Sequence, residues 1–393
     1  MTNESMADIT QSLVDNYTNM ETELMVKVAE YLEKNNSLLQ TFDARNELGE
    51  VIPGSVTVIQ WRTRALRELG ALNDDGIALL AKHSGKTVSE VKRIYKEALD
   101  TGLIKDEAIL KAGVDGGILQ PAVPLAQSAV VGLLKTAESE TLTTFNGLNN
   151  SMLRSAGTQY TKIVNDIETQ IMAGAATVDQ AVARSVKAFA QDGLTGFTAS
   201  NGAEWTPEAY SRMVIQADLK NAITAAQNER YNEYGNNYVE VDAYGGARPK
   251  CSEDQGYIYS LDGNLDPITD VSGSTIEVRD WGGTSYGDAD GILGINCGHS
   301  RWAFVPGLST QATRNEDIKE NDEKYKLREQ QRYIERNIRN SKREALLLEK
   351  SGASRVDIDA AKAKTREWQN RAREFVKKTN GTRYPERERI YIS

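Results

Sequence analysis

The chain has 393 residues, with 47 Lys/Arg against 56 Asp/Glu and a net charge of −9 at neutral pH. That length exceeds what one hydrophobic core usually organises, so two or three packed units are expected. No run approaches the roughly 20 apolar residues that span a bilayer, and residues 1–15 carry acids in place of the cationic start of a signal peptide. These features argue against a membrane partner and predict a protein made and used in a cytoplasm, or inside a particle assembled there. Cys251 and Cys297 are the two cysteines, too few for a disulfide framework, so they need another explanation. Charge is uneven along the chain: residues 311–393 hold 22 Lys/Arg and 15 Asp/Glu, about +7, which leaves the first 310 residues strongly acidic.

Taken in order, Met20, Leu24, Met25, Val28, Tyr31 and Leu32 recur at the spacing of one helical stripe. A break is expected at residues 49–54 around Pro53, followed by a helix over 56–69 with Trp61, Leu66 and Leu69 inward. Residues 77–103 read as helix, turn, helix: a polar turn at His83-Ser84-Gly85-Lys86, then Thr87 and Glu90 in a capping-box arrangement. That spacing superficially suits a DNA-reading helix-turn-helix, but the segment is not basic and short αα-hairpins are common packing motifs. Residues 113–124 form a Pro-flanked connector, 125–190 are helix-rich, and a further helix starts at about Pro207 and runs to Tyr231. Within it Arg212 opposes the helix dipole and is expected to have a partner.

The character changes at Asn236. Residues 238–243 and 257–261 alternate as strands, between glycine-rich loops that end near Pro306-Gly307. A long basic αα-hairpin follows over about 316–378, with Tyr325, Tyr333, Ile334, Ile338, Ala345 and Leu348 on one face and Val356, Ala360, Ala363, Trp368, Ala372, Phe375 and Val376 on the second; Asn380-Gly381 closes it. The expected fold is α+β and predominantly helical, in four parts: an N-terminal helical region (1–124), a central helical domain (125–235), a small loop-rich β unit with Cys and His (236–308), and the basic αα-hairpin with its tail (309–393).

Cys297 and His299 are two apart, so an extended strand points both to one side, and Cys251 offers a third soft ligand for zinc, with Asp254 or Asp290 as fourth. The competing explanation is two small buried cysteines and a histidine bonded to loop carbonyls. Arg248, between Ala247 and Pro249, reads as a structural clamp anchored by a carboxylate. Arg366, Arg371, Arg373 and Lys377 are the candidate contacts to DNA or an acidic protein, against the alternative of a solvated charged face. No catalytic constellation stands out. A zinc-dependent enzyme on Cys251, Cys297 and His299 would also need a placed general acid or base.

The blocks Gly246-Ala247-Arg248-Pro249, residues 256–261, residues 294–300 with 304–307, Gln331 to Arg336, Arg366-Glu367-Trp368-Gln369 and residues 383–390 occur in an order that resembles the minor capsid proteins of Gram-positive tailed phages, relatives of the Mu F-type head-morphogenesis group. The resemblance covers 205–393 well and the helical half loosely. Where that family often carries His, near Tyr244, and Trp, near Asp254-Gln255, this chain has neither. The resemblance implies a virion protein present in a few copies near the portal vertex, with the portal protein, the major capsid or scaffold protein, and double-stranded DNA as candidate partners.

Overall fold

The computed structural model describes residues 3–39, 57–311 and 318–390. The expected break at 49–54 and the start of the basic hairpin at Glu316 lie outside the described residues. The fold is α+β and predominantly helical. Among the described residues no helix is long and apolar enough to cross a membrane.

Local chemistry accounts for most helix boundaries. Helix α1 (Asn3–Leu39) buries Leu13, Tyr17, Met20, Leu24 and Val28 at three- and four-residue spacing. Helix α2 (Val58–Arg67) opens on a reciprocal capping box: the Gln60 amide donates to Thr57 Oγ1 at 3.2 Å and the Thr57 amide to Gln60 Oε1 at 3.1 Å. Helix α3 (Leu69–Ala98) runs without interruption through residues 83–87, so the expected turn is absent and Thr87 is buried within the helix instead of capping one. A single π-helical turn (Leu99–Leu103) leads on into α4 (Ile104–Asp115). The reason is packing. His83 is buried, with Nδ1 2.9 Å from Asn16 Oδ1 and Nε2 3.4 Å from Glu23 Oε1. Those contacts, with the burial of Leu79 and Leu80, outweigh the roughly 1 kcal/mol that Gly85 costs inside a helix. A helix-turn-helix reader over 77–103 therefore has no turn to be built on.

The predicted connector follows α4, and then come α5 (Val130–Met172) and α6 (Val178–Asp192), the latter opened by a second capping box from Thr177 and Gln180. Strands β1 (Phe197–Thr198) and β2 (Glu204–Trp205) pair antiparallel, and α7 (Pro207–Tyr234) begins at the proline expected to start it. Arg212 has the partner its position calls for: Nη1 donates to Gln11 Oε1 at 3.2 Å.

The chain divides into two compact units, each drawn from three stretches. The first comprises residues 1–14, 87–145 and 211–329. Its sheet contains β3 (Tyr238–Val241), β4 (Ile258–Ser260), β7 (Val278–Asp280) and β8 (Arg301–Ala303) in the order β7-β4-β3-β8, and β5 (Ile268–Thr269) pairs with β6 (Thr275–Ile276) beside it. Val239 stands opposite Tyr259 on one side and Ala303 on the other, which brings β8 next to β3 across about sixty residues of chain. A short helix, α8 (Pro249–Asp254), lies between β3 and β4. Leu110, Tyr231, Val239, Val241, Cys251 and Tyr259 share one core. Beside it Arg230, 1% exposed, meets both carboxylate oxygens of Glu107 at 2.7 and 2.9 Å.

The second unit comprises residues 15–86, 146–210 and 330–393. Trp61, Tyr160, Ile163, Val186, Phe189 and Leu347 are among its buried side chains, and the polar ends of two are satisfied: Trp61 Nε1 donates to Asn35 O at 3.1 Å and Tyr160 Oη to Ala65 O at 3.0 Å. Helix α9 (Ile318–Lys350), from residue 330 on, and α10 (Arg355–Thr379) form the expected hairpin, and Asn380 ends it in the left-handed conformation (φ 50°). The inward face of α10 differs from the one read off the periodicity. Val356 is 80% exposed and Ala360 and Ala363 are exposed, whereas Ala372 is buried as expected and Ala361 is buried in addition. Alanines let the helices approach closely, while Lys364–Glu344 (2.9 Å) and Lys362–Glu349 (3.2 Å) bind α10 to α9 in place of an apolar stripe.

Candidate metal centre and basic helix

Cys251, Cys297 and His299 converge: one ligand atom from each lies within 4.8 Å of the other two, and all three residues are buried. Cys251 sits on α8, which Pro249 starts at a position where its missing N–H costs nothing. Cys297 and His299 lie in the loop that enters β8. The same-side geometry expected of a strand is made here by that loop, since β8 begins only at Arg301. Residues 291–298 fold tightly. A Cβ at Gly291 would meet Ser285 O at 1.9 Å, and Leu293 and Asn296 hold positive φ (59° and 55°). The turn aims amides at sulfur: Cys297 Sγ accepts from the Leu293 N–H at 3.1 Å and the His299 N–H at 3.4 Å.

Cys251 Sγ lies 3.7 Å from Cys297 Sγ and donates to it, and Cys297 Sγ lies 3.4 Å from His299 Nδ1. The hydrogen bond from Cys251, with the charge of Lys220 nearby, pulls the Cys297 thiol well below the usual range against the effect of burial, and pushes Cys251 up. Arg248 reaches the same loop. Its Nη1 donates to Ile295 O at 2.8 Å and Nη2 to Gly291 O at 3.2 Å, so its anchors are carbonyls, where a carboxylate was expected. Neither proposed fourth ligand joins: Asp254 accepts from the Ser285 amide (3.0 Å) and hydroxyl (2.5 Å), and Asp290 pairs with Lys250 at 2.6 Å.

Three further side chains complete the site, two of them at or beside positions where the resembled family carries His or Trp. Gln255 Oε1 lies 2.8 Å from His299 Nε2, the Tyr244 ring stacks on the His299 ring at 4.4 Å, and the buried Lys220 of α7 donates to the Cys297 carbonyl. Burial lowers the pKa of Lys220, against the pull of Cys297 and Asp242. Lys220 is far away in sequence, and nothing in its helical neighbourhood distinguishes it from a surface lysine.

In the second unit, Arg366, Arg371, Arg373 and Lys377 are all exposed. At 3.6 residues per turn, Arg366, Arg373 and Lys377 (i, i+7, i+11) share one face, and Arg371 points about 140° away. Arg371 pairs with Glu367 at 2.5 Å and lies over the Trp368 ring at 4.5 Å, while Arg373 donates to Asn370. Among the described residues Arg366 and Lys377 make no ion pair.

The chain is similar over 350 residues, at 26% identity, to a structural protein of Lactococcus phage LL-H, covering 86% of this chain and 90% of that relative. A structural protein of Lactococcus phage mv4 is 31% identical over 106 residues, 27% of this chain and 85% of the relative. No solved structure matches. The family described as phage minor capsid protein 2 matches residues 1–377, and the chain belongs to that family.

Proposed function

We propose that this protein is a structural head-morphogenesis component of the virion, without catalytic activity, that docks on the portal or the adjoining inner capsid or scaffold surface and meets packaged duplex DNA through α10. The observation that carries the DNA contact is the aligned, exposed stripe of Arg366, Arg373 and Lys377, two of which have no acidic partner among the described residues. Eleven residues of helix span about 16 Å, so the stripe is long enough to follow several phosphates of one strand. Net positive charge over 311–393 in an otherwise acidic chain supports the same reading.

The test is duplex DNA binding by the full chain as a function of salt. Each phosphate neutralised contributes about 0.9 to the slope of log K against log salt, so Arg366→Ala, Arg373→Ala and Lys377→Ala together are expected to flatten it by about 2.7. Arg371→Ala, on the other side of the helix, should leave it nearly unchanged. A folded triple variant with an unaltered slope refutes the DNA contact. If that variant instead loses co-sedimentation with portal particles, the stripe is a protein-docking face.

A further inference from the structure

We infer that Cys251, Cys297 and His299 bind one zinc-class divalent cation, a site that goes beyond the assembly role proposed above and does not depend on it. The first argument is metrical. With Zn–S about 2.3 Å and Zn–N about 2.0–2.1 Å, a tetrahedral ion sets its sulfur ligands about 3.8 Å apart and a sulfur–nitrogen pair about 3.6 Å apart. The corresponding separations are 3.7 Å between the sulfurs and 3.4 Å between Cys297 Sγ and His299 Nδ1.

The second argument is the tautomer of His299. Gln255 Oε1 can only accept, and the Tyr244 amide donates to it at 3.1 Å, which fixes which end of the amide faces the ring. His299 Nε2, 2.8 Å from that oxygen, therefore carries a proton, and in the neutral ring Nδ1 presents its lone pair to the sulfurs. Cys297 Sγ already accepts from two backbone amides. A ring lone pair and a sulfur so supplied with donors face each other in a buried space, and a cation between them satisfies both. Pinning the far nitrogen of a ligating histidine is the usual means of orienting it.

The third argument is charge. Two thiolates, a neutral imidazole and a divalent ion sum to zero, so the filled site adds no net charge beside Arg248 and the buried Lys220. Binding displaces the Cys251 thiol proton, and a water takes the fourth position, because no carboxylate joins the cluster among the described residues. The ion ties α8 to the loop before β8, 46 residues away, beside a sheet whose strands are three or four residues long.

The experiment uses the full chain, purified under reducing conditions and exchanged with cobalt(II) as the probe. The expected results are one ion per chain, a thiolate-to-cobalt charge-transfer band, and the intense visible bands of a tetrahedral site. Cys297→Ser and Cys251→Ser should each weaken cobalt binding at least about tenfold, and His83→Gln, remote in sequence and bonded elsewhere, should not. Should the serine variants fail to fold, the cobalt spectrum of the unaltered chain decides alone. A spectrum without charge transfer, or substoichiometric binding, overturns the site. So does an intact mass two hydrogens short in the freshly purified chain, which makes Cys251 and Cys297 a redox pair.

Discussion

Replacing Glu107 by alanine leaves the guanidinium of Arg230 buried without its main counter-ion. Glu107 takes three hydrogen bonds from Arg230, at 2.7, 2.9 and 3.1 Å, and one from Tyr234 Oη at 2.8 Å. Breaking a buried pair by removing one partner costs about 3–5 kcal/mol, and since Glu233 also pairs with Arg230 and stays in place, the lower end, about 3 kcal/mol, is expected. Native-state hydrogen exchange in α4 and α7 reads this directly as a lowered opening free energy. Glu107→Ala with Arg230→Met should recover most of the loss, because no charge is then buried. The pH dependence adds a check. Burial raises the pKa of Glu107, but the hydrogen bonds from Arg230 and Tyr234 outweigh it and the net shift is downward. A carboxylate with a depressed folded pKa contributes stability that is complete above its unfolded value and is lost as pH falls through the folded one. The wild type and Glu107→Ala should therefore converge in acid. A loss under about 1 kcal/mol at neutral pH, or a gap that persists in acid, refutes the reasoning.

The neighbouring Asp106 has the opposite sign. Burial raises its pKa despite hydrogen bonds from Tyr231, the Ala303 amide and Gln227, so stability should fall as pH rises from its unfolded value to its folded one; Asp106→Asn should flatten that part of a urea-midpoint profile against pH, and an unchanged slope counts against it. Gly85→Ala distinguishes the continuous α3 from a turn: a Cβ there meets nothing within 4 Å, so thermal unfolding should show a gain of about 1 kcal/mol, whereas a loss would mean the residue is not helical.

What could be read from the sequence was local. Periodicity over 20–32 and the capping residues at Pro207 and Asn380 locate helices because a helix buries one stripe and must satisfy its own ends, and both requirements are written within a few residues. The same logic marked strands at 238–243 and 257–261, and the Cys/His residues as a group. It failed where a distant partner decides. Gly85 and Thr87 look like a turn and a cap, yet Asn16 and Glu23 hold His83 inside one long helix. On α10 the apolar letters at 356, 360 and 363 suggest a buried face, while the structure buries Ala361 beside the expected Ala372 and pairs Lys362 and Lys364 with α9. Composition and spacing alone determined that the chain is mainly helical, with a small loop-rich β unit that carries the Cys and His residues and a basic end. Only the tertiary structure decided that Gln255, Tyr244 and Lys220 surround the sulfurs, because a buried polar group is matched through space by whichever segment the fold delivers.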